Sequence, residues 1–78
     1  MKYTKAHEAA HIEFHRILLQ FFRGRITAME LNKAIFKAVA NHRYSDAWVM
    51  MATTAMNAKS VADYEAKVTD LFTVIVTE

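Results

Sequence analysis

The 78 residues contain no proline and only one glycine, so almost nothing in the chain interrupts a helix. Proline breaks helices because it lacks a backbone N–H, and a glycine such as Gly24 readily takes the left-handed conformation that ends them. Further polar junctions follow at residues 41–46 and 57–60. The chain is therefore predicted to be all-α, with a single domain over residues 1–78 that forms a compact up-down bundle of four short helices, near residues 3–23, 28–42, 46–58 and 61–75.

Helix-start signals lie at these junctions. Thr27 and Glu30 have the spacing of a capping box, in which each side chain accepts a hydrogen bond from the other residue's backbone N–H. Ser45 or Asp46 can cap the third helix, and Ser60 begins a weaker form of the capping box before the fourth. Because the connections have only a few residues, successive helices are expected to run antiparallel.

Apolar residues recur at spacings of three and four, which places them on one face of a helix. The first and fourth helices show this pattern most regularly, whereas the third is apolar on almost every side. A helix that is apolar all round is normally buried. We expect the shared core to include Phe14, Ile17, Phe21, Ile35, Val39, Trp48, Val68, Leu71 and Phe72.

Residues 72–77 are rich in β-branched side chains, which favour a strand over a helix. A lone strand has nothing to pair with inside a helical bundle, so the fourth helix is predicted to continue, frayed at its end. A strand at this position would instead imply pairing with a second copy or with another protein.

Composition limits what the protein can contain and where it can work. A chain that is 54% hydrophobic and 23% charged is too apolar for a disordered segment. The absence of cysteine excludes disulfides, a thiolate nucleophile and Cys-type zinc sites. The longest uncharged run, residues 47–58, is too short to cross a bilayer, and the first residues do not have the pattern of a secretory signal. We expect a cytoplasmic protein with no membrane association and no cofactor.

Charge is distributed unevenly along the chain. Residues 1–43 carry a net charge of +5, and residues 44–78 carry a net charge of −3. Arg23, Arg25 and Arg43 fall at predicted helix ends, where cations stabilise the helix dipole. No helix has a continuous basic stripe, and the third has no base-reading side chain. Nucleic acid binding is therefore not expected.

His7, Glu8 and His11 form an H-E-x-x-H string, which resembles the zinc-binding motif of the zincin metalloproteases. On a helix, residues i and i+4 project both imidazoles from one face to bind zinc, and the glutamate polarises the metal-bound water. His15 adds a third imidazole four residues later. The string indicates an alternative function, a zinc-binding protein or a minimal zinc hydrolase, with His7, His11 and His15 as candidate ligands.

Other features of this string favour a structural role. In the metzincin pattern, the third histidine lies six residues past the second, after a glycine that ends the helix, whereas His15 continues the same helix. A small helical bundle also has little wall for a substrate cleft. His7 lies on the apolar seam of the first helix, where a histidine is usually packed. We therefore expect a non-enzymatic protein with no catalytic residue and no bound metal.

The predicted helices have more apolar faces than one small core can bury. Opposite its core seam, the first helix places Ile12 and Leu19 among cations, and the second helix carries Met29 and Phe36 away from its core face. Such surplus apolar surface is typical of a contact site. The predicted partner-binding residues are Lys5, Ile12, Arg16, Leu19, Arg23, Met29 and Phe36.

These residues predict a small helical protein that acts by stoichiometric protein–protein binding, as phage-type inhibitors, adaptors and antitoxin-like regulators do. The cations favour an acidic target, because opposite charges steer association. The same patch could instead form a homodimer. The Met-rich third helix is the alternative contact surface, since methionines adapt their shape to different partners.

Overall fold

The computed structural model describes the backbone of residues 3–77 and the side chains of residues 3–72. This part of the chain forms four helices and no strand, which confirms the all-α prediction: α1 Lys5–Phe22, α2 Ala28–Asn41, α3 Asp46–Met56 and α4 Val61–Thr77. The β-branched run continues α4, so the strand alternative is wrong. Adding residues to a helix that has already formed gains one backbone hydrogen bond per residue without a new nucleation cost, which offsets their low helix propensity.

The junctions end and begin helices where the sequence predicts. Gly24 has φ 73°, the left-handed conformation that glycine adopts without strain. The capping box of α2 is complete: the Thr27 N–H donates to Glu30 Oε1 at 3.0 Å, and the Glu30 N–H donates to Thr27 Oγ1 at 3.2 Å. At the start of α4, Ser60 Oγ accepts a hydrogen bond from the Asp63 N–H at 3.0 Å.

α3 begins at Asp46 after the N-cap Ser45, as predicted, whereas two details of helix capping were not expected. α1 begins after Thr4, which forms a capping box with His7: the Thr4 N–H donates to His7 Nδ1 at 3.1 Å, and the His7 N–H donates to Thr4 Oγ1 at 3.3 Å. The sequence pattern does not indicate this box, because histidine replaces the usual glutamate. Ser45 is the N-cap of α3, but its buried hydroxyl has no hydrogen-bond partner among the described residues.

The core is centred on α1 and α3, which make the most extensive helix–helix contact in the bundle. α2 and α4 each pack against both of these helices, and in the described residues they do not contact each other. Phe21 is only partly buried, although it packs against the core. Seven other predicted core residues are buried, which confirms them: Phe14, Ile17, Ile35, Val39, Trp48, Val68 and Phe72.

Leu71 is the wrong core prediction, because the residue is 39% exposed. α4 instead buries Tyr64, Val68 and Phe72, which are four residues apart and form one line along the helix. At about 100° per residue, Leu71 lies roughly 60° from the centre of that line. It therefore faces the edge of α3, where it lines a groove with Thr53.

α3 is exposed along one side, contrary to the expectation from its apolar sequence. Trp48, Met51 and Ala55 face the core, whereas Val49 is 42% exposed and Met56 is 46% exposed. The bundle has only three other helices, and α1, α2 and α4 leave this side of α3 uncovered.

The turn between α2 and α3 holds two consecutive non-glycine residues in the left-handed region, with φ 57° at Arg43 and 55° at Tyr44. This conformation costs about 1–2 kcal/mol per residue. Backbone hydrogen bonds offset the strain, because the Arg43 N–H donates to the Ala40 carbonyl and the Tyr44 N–H donates to the Val39 carbonyl, both at 3.0 Å. The turn presents the exposed Tyr44 side chain at the edge of α3.

Candidate functional site

The three histidines of the H-E-x-x-H string and its extension all lie against α4, and His7 is the most buried of them. Its ring packs edge-on against Phe72, with centroids 5.2 Å apart, and stacks with Tyr3 at 6.1 Å. Its Nδ1 atom is 2.8 Å from Thr4 Oγ1 and also accepts the hydrogen bond of the capping box. His7 therefore joins the start of α1 to α4.

His11 contacts α4 through Tyr64. The two rings stack at 5.3 Å, and His11 Nδ1 lies 3.3 Å from the Tyr64 hydroxyl. Burial lowers the pKa of His11, and the neighbouring His15 lowers it further, while Glu65 and Glu8 oppose the shift. Burial also raises the pKa of Tyr64, so its hydroxyl keeps its proton. A neutral His11 ring can accept that proton in a hydrogen bond at Nδ1.

His15 makes the third connection, because its Nε2 atom lies 2.7 Å from Glu65 Oε1 on α4. Each imidazole thus has its own partner on or near α4 rather than a shared centre. Among the described side chains, no group of three or more histidine, aspartate or glutamate residues is placed to hold a metal ion. In the described part of the chain, His7, His11 and His15 therefore do not come together as one three-ligand group.

The predicted contact residues of α1 lie on the side of the helix that does not pack in the core. Ile12 is 62% exposed, the three cations are exposed, and Leu19 is partly buried. Arg16 is paired with Glu13 one turn earlier on the same helix. We call this row the α1 face, and it comprises Lys5, Ile12, Arg16, Leu19 and Arg23.

The predicted contact residues of α2 are exposed but belong to a different surface. Met29 and Phe36 lie seven residues apart and so share one side of α2. Phe36 lines a groove between α2 and α3, whereas Arg16 of the α1 face lines a separate groove between α1 and α2. The seven predicted residues therefore do not form one patch.

The groove between α2 and α3 is lined almost entirely by apolar atoms and has a volume of about 180 Å³. Phe36 and Tyr44 form one wall, and Val49 and Met56 form the other. Of these four residues, only Phe36 was among the predicted contact residues. The seven-residue spacing of Val49 and Met56 was the available signal, but it was hidden because α3 is apolar on so many sides.

Two other grooves are more polar. The groove between α1 and α2, about 430 Å³, is lined by both acidic and basic residues, including Glu13, Arg16 and Lys37. The groove between α3 and α4, about 380 Å³, is lined by Thr53 and Leu71 together with polar side chains of both helices. Mixed charge and open shape make these grooves well suited to solvent and poorly suited to enclosing a small substrate.

Comparison with known proteins found no matching family model, no matching curated protein and no matching solved structure. Over the residues that the structure describes, no helix has both the length and the apolar composition needed to cross a bilayer. The functional interpretation therefore depends on the exposed surfaces themselves.

Proposed function

We propose that the protein acts without chemistry, as a stoichiometric binder of another protein, and that the α1 face is its contact surface. The exposure of Ile12 supports this proposal. This large aliphatic residue is 62% exposed, although the opposite side of its helix is buried in the core. Inserting Ile12 into a pocket of a partner would remove apolar surface from water and would not disturb the bundle. An inhibitor, adaptor or regulator of a cytoplasmic target works in this way.

The charges of the α1 face favour a partner with acidic groups. Lys5, Arg16 and Arg23 are exposed along this row, and residues 1–43 carry a net charge of +5. The acidic residues on the same helix are Glu8 and Glu13, and Glu13 pairs with Arg16, so Lys5 and Arg23 contribute most of the positive charge of this row. Opposite charge at the rim of an interface raises the association rate more than the affinity. The cations would therefore steer the partner, and Ile12 would anchor it.

A second copy of the chain fits this face poorly. Consider two α1 helices that pair antiparallel, with the two-fold axis at the level of residue 14, halfway between Lys5 and Arg23. Lys5 of each copy would then face Arg23 of the other. Like charges placed opposite each other in an interface are unfavourable. We therefore propose a different protein, rather than a second copy in this register, as the partner of the α1 face.

Two aspartate substitutions test the proposal. Ile12→Asp places a charge at the proposed anchor, and Met29→Asp is a matched control at an equally exposed apolar site on α2. Both variants are expected to retain the helical circular dichroism spectrum and melting temperature of the wild type. Wild type and Met29→Asp should capture the same protein in equimolar amounts from the native cytosol, more weakly at high salt, whereas Ile12→Asp should not. Equal capture by Ile12→Asp would contradict the proposal.

A further inference from the structure

The uncovered side of α3 has the spacing of a helix-pairing seam. Val49, Thr53 and Met56 are separated by four and three residues, and all three are exposed. We call these three residues the α3 ridge. The ridge stands between two grooves, since Val49, Thr53 and Met56 line the groove next to α2 and Thr53 also lines the groove next to α4. Side chains of a second helix could therefore occupy the spaces on both sides.

The polar side chains near the ridge already make hydrogen bonds within their own helix. Thr53 Oγ1 donates to the Val49 carbonyl and Thr54 Oγ1 to the Met50 carbonyl, both at 3.0 Å. Asn57 Nδ2 donates to the Thr53 carbonyl at 3.0 Å. Burying a polar group is costly only when it loses its hydrogen bonds. The ridge can therefore be covered without leaving these donors unpaired.

α3 has an acidic residue at its start and a basic residue shortly after its end. No charged residue lies between Asp46, at the start of α3, and Lys59, just after its end. The midpoint of this stretch falls between Ala52 and Thr53. Two antiparallel copies related by a two-fold axis at that midpoint would bring the end of α3 that carries Asp46 in each copy towards the end followed by Lys59 in the other. This arrangement is the opposite of the one on the α1 face, where the same symmetry opposes two cations.

We propose that a second copy of this chain covers the α3 ridge, with the two α3 helices antiparallel across a two-fold axis near Thr53. This inference concerns a surface separate from the α1 face and does not depend on the proposed function. The small size of the chain also favours a dimer, because short chains bury a limited share of their surface on folding.

Such a dimer would need apolar surface beyond the three residues of the ridge. A standard interface hides about 800 Å² on each partner, roughly 15% of the 5313 Å² that this chain exposes. The ridge is continuous with Phe36 and Tyr44 across one groove and with Leu71 across the other. These exposed side chains extend the apolar contact beyond α3, so that the interface does not depend on the ridge alone.

Sedimentation equilibrium over a range of concentrations gives the first test. The wild type should reach twice the 9.0 kDa mass of the chain. Thr53→Glu would place two carboxylates at the symmetry axis and should lower the association constant by about tenfold or more. The control, Ala9→Glu, introduces the same charge at an exposed position on α1, away from the proposed interface, and should leave association unchanged. A wild type that is monomeric at every concentration would overturn the proposal.

Crosslinking tests the geometry, and the absence of native cysteine makes it simple to interpret. Thr53→Cys lies next to the proposed axis and should form an intermolecular disulfide rapidly under mild oxidation, whereas Ile12→Cys should form one slowly. In addition, Lys59→Asp should weaken the dimer, and combining it with Asp46→Lys should restore part of the loss. Equal crosslinking rates for the two cysteine variants, or dimerisation that is insensitive to Thr53→Glu, would show that a second copy does not bind the ridge.

Discussion

The imidazole ring of His42 lies flat against the indole of Trp48, with ring centroids 3.6 Å apart and planes inclined by 5°. His42 is an exposed residue at the end of α2, whereas Trp48 is buried and also meets Phe14 edge-on at 5.5 Å. The histidine therefore closes the solvent side of the only tryptophan in the chain. This contact connects the α2–α3 turn to the centre of the core.

Replacing His42 with alanine should uncover Trp48. We expect a red shift of the tryptophan emission and a loss of stability of about 1 kcal/mol, the typical contribution of a stacked ring pair. Asn41→Ala, at the neighbouring exposed position, is the control and should leave the emission maximum unchanged. If His42→Ala has the wild-type spectrum, the stack does not shield the indole in solution.

Phe14→Ala and Leu71→Ala should have very different effects on stability. Phe14 is fully buried, so its truncation leaves a cavity and should cost about 3–5 kcal/mol. Leu71 is 39% exposed at the edge of a groove, and its truncation should cost less than about 1.5 kcal/mol. Urea unfolding of both variants measures the difference. Similar losses would mean that Leu71 belongs to the core after all.

Acid should weaken the contact between α1 and α4 through His11. Burial and the neighbouring His15 lower the pKa of His11 in the folded protein, so the unfolded chain binds the proton more readily. The stability contributed by neutral His11 is therefore complete above the unfolded pKa of about 6.5 and is lost as the pH falls below it. His11→Phe keeps a ring beside Tyr64 but cannot be protonated. Its unfolding free energy should fall less than that of the wild type between about pH 7 and pH 5.

The helix caps provide a comparison between two similar hydroxyl groups. Thr27 Oγ1 accepts a hydrogen bond from the start of α2, so Thr27→Ala should cost about 1 kcal/mol. Ser45 Oγ is buried without a partner in the described residues, so Ser45→Ala should be neutral or slightly stabilising. Thermal melting of the two variants tests this. A large loss for Ser45→Ala would indicate a hydrogen bond formed only in solution.

Features set by local sequence were predictable. Gly24 and the pair Thr27 and Glu30 specify the turn and the start of α2 through interactions within a few residues, and both are present as expected. The seam of α1 also gave the correct buried residues Phe14 and Ile17, because one amphipathic helix has only one face that can enter the core.

Features set by the arrangement of helices were less predictable. Leu71 and Phe72 are adjacent apolar residues, and only the position of α3 determines which of them is buried. The groove walls at Tyr44 and Val49 depend on a left-handed turn at two non-glycine residues, which no sequence pattern indicated. The partners of His11 and His15 likewise belong to α4, about fifty residues later in the chain.

Direct packing of α1 on α3 also determines how the chain can reach its fold. Before the core forms, the chain must close a loop that contains all of α2, and the entropic cost of this closure grows with loop length. We expect α4 to dock afterwards, because Tyr64, Val68 and Phe72 pack on a surface that α1 and α3 form together. Residues inserted beside Gly24 should therefore slow refolding in stopped-flow measurements, whereas the same insertion beside Ser60 should leave the refolding rate nearly unchanged and act mainly on unfolding.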